Sequence, residues 1–381
     1  MNRKLKYLIP YLSFIGSALV VLFLDFGLVI PLSESDGALY GYFPQGIYIM
    51  PIIWLVIMCF PIAWIIFNEE KFNLPEEPPK RKVGLFIITF TGLFILILIF
   101  RTLIIWKYNG PYEKMSMIFF LLFQILLVEQ VSLTRYGLKA RAPWQEWKKD
   151  LKYIGYLILV VVILLTPIFI IALLVFFPQV EILLSQIVPP NVLILISFPF
   201  QTIAVGISEE LMFRGYLYEN LKENDANYSL KSHFYFWILF NSLIFGLFHI
   251  PWYIEFSEAT FFTIPPENIS PMITRIVSTG AFGLFMCLIY EFTKSLRITI
   301  LIHGLWNTLG AFLGSMFLFI DFSVIDTIGM DQYILFGFLA LLPLLIGLIV
   351  LLKTPRFLAK RLKYKGFNAF HNSPLIRNET P

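Results

Sequence analysis

Residues 153–177 read YIGYLILVVVILLTPIFIIALLVFF, twenty-five positions without one charge. As a helix this run is roughly 37 Å long, more than the ~30 Å of hydrocarbon in a bilayer. Nine further stretches carry the same signature, some marginally: about 8–32, 45–67, 83–106, 115–134, 191–208, 234–253, 272–292, 298–319 and 333–352. A span needs ~17–25 apolar residues, so the sequence predicts an all-α, polytopic transmembrane bundle of about ten helices. Composition agrees. Only 14% of the chain is charged and 58% is hydrophobic, with 40 Phe, whereas soluble domains are nearer a quarter charged.

The connectors then set orientation. Segments 2–6, 68–82, 135–152, 219–233, 293–297 and 353–381 hold nearly all Lys and Arg, while 33–44, 178–190, 254–271 and 320–332 hold none. The positive-inside rule therefore predicts a multi-pass protein of the cell membrane with both termini cytoplasmic. One connector, 107–114, breaks the alternation with Lys107 and Lys114. Arg3, Lys4 and Lys6 precede a run too long for a signal-peptide core, which reads as an uncleaved first span. The tail from Lys353 through Lys365 reads as a topology determinant, with contact to anionic lipid as a second role. Cys59 and Cys287 both sit in apolar runs, which argues against a disulfide framework or a cysteine metal site. No repeat or nucleotide-binding glycine pattern occurs, and no nucleic-acid partner is expected.

Ionisable residues inside spans are costly and mark function by default. In the first five spans Asp25, Arg101 and Glu129 are scattered singly; Arg101 reads as snorkelling, Asp25 and Glu129 as packing or cavity residues. The second half differs. Ser208-Glu209-Glu210-Leu211-Met212-Phe213-Arg214-Gly215 puts two carboxylates and a guanidinium on one helix. Glu210 and Arg214 are four apart and share a face. Glu209 is turned ~100° away, so the spacing leaves it unpaired and available for acid–base work. A buried ion pair with a spare carboxylate, or a proton relay, would explain this stretch alone equally well. The next apolar helix ends Phe245-Gly246-Leu247-Phe248-His249, and a later one holds His303-Gly304-Leu305-Trp306-Asn307. His303 and Asn307 again project from one face. His233 and His371 fall in polar connectors and read as bystanders.

At these residues the chain resembles the Rce1-like, or CAAX-processing and bacteriocin-processing (CPBP), intramembrane peptidases. Glu209-Glu210 to Arg214, Phe245 to His249 and His303 to Asn307 match the family's three motifs in order, and the stretch from Gly283 to Leu296 has the family's look. The resemblance covers roughly residues 153–320. It suggests an N-terminal membrane region of about four spans (1–152), a peptidase region (153–352) and a basic cytoplasmic tail (353–381). It also implies a membrane-embedded or lipid-anchored peptide as substrate, without specifying a prenyl group.

Peptide hydrolysis needs an activated water and donors for the oxyanion. Glu209 fits as base with His249 orienting the water. His303 and Asn307 fit as oxyanion donors, a contribution of about 3–4 kcal/mol each. Glu210 and Arg214 would fix the helix rotation that aims Glu209. The resemblance implies the same allocation. Glu209, His249 and His303 also form a two-His, one-carboxylate set suited to zinc. The paired His of an His-Glu-x-x-His helix is absent, however, and Asn307 is a better amide donor than ligand, so the metal-free mechanism with no cofactor is preferred. Two other classes remain: a proton-coupled transporter, for which inverted repeats and paired broken helices are not visible, and a non-catalytic bacteriocin-immunity or interaction protein of the same fold.

Overall fold

The computed structural model describes residues 111–139, 141–175, 198–224, 231–254, 264–316 and 330–364, together with Leu195 and scattered positions between 66 and 95. Among the described residues every regular element is helical. The expected spans 8–32 and 45–67 lie almost wholly outside them, as do Asp25, Arg101, Cys59 and His371; only parts of 83–106 and 191–208 fall inside.

Seven helices carry the argument. Helix α1 is Pro111–Leu122, prolonged by a π-helical turn Phe123–Val128. Helix α2 is Trp144–Val175. Helix α3 runs continuously over residues 198–224, with π-helical stretches at Gln201–Gly206 and Leu211–Tyr218. Helix α4 is Lys231–Leu247, followed by a 3-10 turn Ile250–Tyr253. Helices α5, α6 and α7 are Pro266–Thr293, Leu296–Met316 and Met330–Arg361. Among the described residues two segments, Trp144–Pro167 and Asn268–Thr293, are long and apolar enough to cross a membrane, and Tyr235–Leu247 is a shorter apolar helix.

Helix boundaries depart from the hydropathy runs for local reasons. Helix α1 is described from Pro111 onward, and Lys114 lies on it rather than in a connector, as the charge pattern had it. Helix α2 begins at Trp144, nine residues before its apolar run, because nothing between Gln145 and Lys152 breaks a helix. Helix α4 stops at Leu247 and Pro251 falls in the 3-10 turn that follows.

The chain divides into two compact units. The first comprises the described parts of Met1–Arg141, Ser197–Leu284 and Ser295–Gly304. Its axis is α3, every residue of which is buried from 206 to 221. Phe213 packs edge-on between Phe245 and Phe248, with ring centroids 5.0 and 5.4 Å away. Helices α4 and α5 cross closely at Gly246, where a Cβ would come within 2.6 Å of the Ile276 carbonyl; such small-residue contacts are how membrane helices approach. Helix α6 touches α3 as closely, since a Cβ on Gly304 would lie 2.7 Å from Thr202 Cα. The start of α6 is tied down by Leu296 N–H to Gly137 O (3.2 Å) and by Arg297 Nη1 to Lys139 O (2.8 Å). Gly137 has φ 77°, a left-handed conformation natural to glycine.

The second unit comprises the described parts of Ala142–Ile196, Phe285–Lys294 and Leu305–Pro381. Helices α2 and α7 pack along one another. Tyr153 donates to Pro355 O (3.3 Å), Tyr364 donates to Asp150 Oδ1 (2.8 Å), and the Lys149 ammonium lies 3.8 Å above the Tyr364 ring.

Candidate active site

The Glu209-Glu210 pair stands on a short α-helical turn, Ile207–Glu210, between the two π-helical stretches of α3. A π-turn rotates the residues that follow it, and such turns recur at functional sites. Glu210 and Arg214 are both fully buried, and Nη1 of Arg214 lies 3.3 Å from Oε1 of Glu210. The i, i+4 pairing expected from spacing is therefore present. Arg214 also donates from Nη2 to the Gly283 carbonyl (3.2 Å), and its guanidinium lies 4.3 Å above the Phe245 ring. Gly283 makes room for this, because a Cβ there would come within 2.9 Å of the Phe245 ring and 3.4 Å of Arg214 Nη2.

His303, on α6, joins the two carboxylates. Its Nδ1 donates to Glu210 Oε1 at 2.7 Å, and its Nε2 lies 3.6 Å from Glu209 Oε2. Phe282 packs edge-on against the same ring at 5.2 Å. Glu210 thus orients a histidine as well as an arginine, a second task the spacing did not reveal, because the partner is ninety-three residues away.

Glu209 is not the unpaired carboxylate expected from the sequence. The ammonium of Lys114, on α1, bonds to its Oε1, and both side chains are buried. That ammonium also stands 5.5 Å from the centre of the Phe248 ring. Helical geometry within α3 correctly turned Glu209 away from Arg214, but it could not foresee a cation from another helix. One signal was available: Lys114 belongs to the single connector that violates the charge alternation.

His249 follows the end of α4. Its Nδ1 donates to Phe245 O, one turn back, at 2.9 Å. A carbonyl only accepts, so this bond fixes the hydrogen on Nδ1 and leaves Nε2 as the other functional nitrogen. Lys114, His303 and His249 all act electrostatically on the Glu209 carboxylate. Asn307 lies one turn beyond His303 on α6 and is half-buried. Glu129 is a packing residue, accepting from the Tyr216 hydroxyl and from Gln124 Nε2 (3.1 Å).

The donor set was tested for a metal. Among the described residues no three His, Cys, Asp or Glu side chains converge to hold one. Each histidine donates from Nδ1 to a protein oxygen, which leaves Nε2 as the nitrogen a metal would take. A zinc centre built from Glu209, His249 and His303 would, however, share Glu209 with the Lys114 ammonium, whose charge opposes a second cation there.

No curated protein and no solved structure matches the chain significantly. A family model does. Residues 191–309, which contain all three motifs, match the family described as type II CAAX prenyl endopeptidase Rce1-like.

Proposed function

We propose that this chain is an intramembrane endopeptidase that hydrolyses a peptide bond in a membrane-associated or lipid-anchored peptide, using a water activated by Glu209 and His249. The observation that carries the reading is the convergence of residues from separate motifs. Glu209, Glu210 and Arg214 of α3 and His303 of α6 form one buried, bonded cluster within the matched region. A bilayer tolerates such a cluster only when each charge finds a partner, and such clusters mark sites.

In the proposed reaction Glu209 takes a proton from water as its oxygen attacks the scissile carbonyl carbon. The oxyanion receives hydrogen bonds from Asn307 and from Nε2–H of His303, which in this step carries a proton on both nitrogens because Nδ1 already donates to Glu210. The C–N bond then breaks, and the proton held by Glu209 passes to the departing amine, with His249 orienting the water and assisting transfer. Glu210 serves this by holding His303 through Nδ1, which directs Nε2 toward Glu209. No resident cofactor takes part.

The test compares membrane peptides from cells carrying wild type and Glu209→Gln, followed by purified enzyme on an internally quenched, prenylated peptide in lipid vesicles. Glu209→Gln should abolish cleavage while wild-type activity survives exhaustive chelation. Activity silenced by chelation and restored by zinc would replace the metal-free mechanism, and full activity of Glu209→Gln would end the peptidase reading in favour of an immunity or interaction role.

The topology belongs to the same proposal: about ten spans, both termini cytoplasmic, in the cell membrane. The alternation of basic and base-poor connectors supports it. A reporter active only outside the cell should respond near Tyr40 and stay silent near Pro75.

A further inference from the structure

We propose that Lys114 is a positioning residue of the Glu209 site, holding the carboxylate by one oxygen while His303 faces the other. This rests on the peptidase reading above and deepens it. Three observations converge on Lys114. It lies on a helix outside the family-matched segment, ninety-five residues from Glu209, yet its ammonium bonds to Glu209 Oε1. Its side chain is only 11% exposed, a costly place for an ammonium without an anion. It is also one of two bases in the stretch 107–114 that violates the charge alternation of the sequence. A lysine used to set topology sits in the aqueous interface, whereas this one is spent inside the protein.

The geometry says what it does. Oε1 of Glu209 is held from α1 and Oε2 faces His303 of α6 at 3.6 Å. A carboxylate anchored at one oxygen and facing an imidazole with the other has lost much of its rotational freedom, so the lone pair that removes the water proton is restricted in direction. The ammonium is itself steered by the Phe248 ring, 5.5 Å away and next to His249. Lys114 therefore touches Glu209 on one side and, on the other, the residue that precedes His249. It acts again after the attack. Once Glu209 carries the proton, the ammonium beside it has lost its counterion, and handing that proton to the departing amine restores the ion pair. No group beyond water, substrate and these side chains is needed.

The full-length protein in detergent gives a readout independent of turnover, from thermal unfolding of wild type, Lys114→Met, Glu209→Gln and the double variant. Lys114→Met should lower the midpoint, and adding Glu209→Gln should recover at least half of that loss, because the stranded carboxylate is gone. Additive shifts would overturn the pairing. With the quenched prenylated peptide in vesicles, Lys114→Met should lose about 100-fold in kcat with KM within about twofold, the split expected of misplaced chemistry. Lys114→Arg should regain a large part of that loss, which a packing role for the lysine stem would not produce. Wild-type kcat in Lys114→Met, with Glu209→Gln inactive, sinks this inference alone. A coupled unfolding cycle with Glu209→Gln fully active sinks the peptidase reading and leaves the pair standing.

Discussion

Helices α3 and α2 sort their residues in opposite ways. Between residues 206 and 221 α3 buries Glu209, Glu210, Arg214 and Glu219, and Arg214 is the largest side chain in the protein's described interior with no exposed surface. Helix α2 turns Leu159, Val162, Ile163, Leu165 and Leu174 outward, the last 74% exposed. A soluble domain does the reverse with both sets. The contrast follows from the solvent. Apolar surface costs nothing against lipid chains, while a charge there is expensive, so charges retreat into the protein and must be matched to each other. Where they retreat together, a reactive site becomes possible.

The comparison breaks most visibly if a buried charge can be removed cheaply. Glu210→Gln would strand Arg214, whose guanidinium has its Nε and Nη1 already without a hydrogen bond. Losing one partner of a buried pair typically costs ~3–5 kcal/mol. The yield of folded protein and the unfolding midpoint should both fall, and fall further than in Glu209→Gln, whose partner Lys114 keeps some exposure. Equal yields for the two variants would mean that Arg214 does not depend on Glu210.

The converse test places a charge where α2 has none. Ile163 is 59% exposed. Arginine near the centre of a span costs ~2.5–3.5 kcal/mol on insertion scales, so Ile163→Arg should reduce the membrane-inserted fraction strongly. Unchanged insertion would show that this face of α2 does not meet hydrocarbon. A smaller effect is expected where the helices of the first unit touch. Gly304→Ala would put a methyl group 2.7 Å from backbone Thr202 Cα, which must move. Overpacking of this kind costs ~1–3 kcal/mol, and because His303 is adjacent, kcat should fall along with the unfolding midpoint.

Much of this was legible before any coordinates, and the limit of legibility is physical. Hydropathy found α2 because beyond Lys152 its exposed side chains are almost all apolar. Helical spacing found the Glu210–Arg214 pair because both partners lie on one helix. The histidine positions were legible as rare polar residues in apolar helices. What could not be read were bonds between helices: His303 to Glu210, and Lys114 to Glu209, which overturned the expectation of an unpaired carboxylate. The π-helical stretches flanking Glu209-Glu210 were also invisible, since a sequence pattern assumes 3.6 residues per turn and a π-turn shifts the face without changing composition. Lys114 was misassigned to a connector because a charge count does not distinguish a lysine on a loop from one on a helix that faces a buried carboxylate.

The smallest expected effect bears most directly on the inverted sorting. Leu165 is 54% exposed on the outer face of α2. In a soluble core, Leu→Ala costs ~2–5 kcal/mol, from lost transfer energy and the cavity left behind. Neither contribution applies to a side chain whose neighbours are lipid tails, because lipid fills the gap and is as apolar as the leucine it replaces. Alanine is also the better helix former, which offsets part of whatever packing is lost. Leu165→Ala should therefore change stability by less than ~0.5 kcal/mol, the range of a surface substitution. The measurement is reversible unfolding in mixed micelles, beside Ile163→Arg as the positive control for the same face. A loss above ~2 kcal/mol would mean that Leu165 packs against protein, either a second copy of the chain or residues outside those described, and the exposed face of α2 would have to be redrawn as an interface.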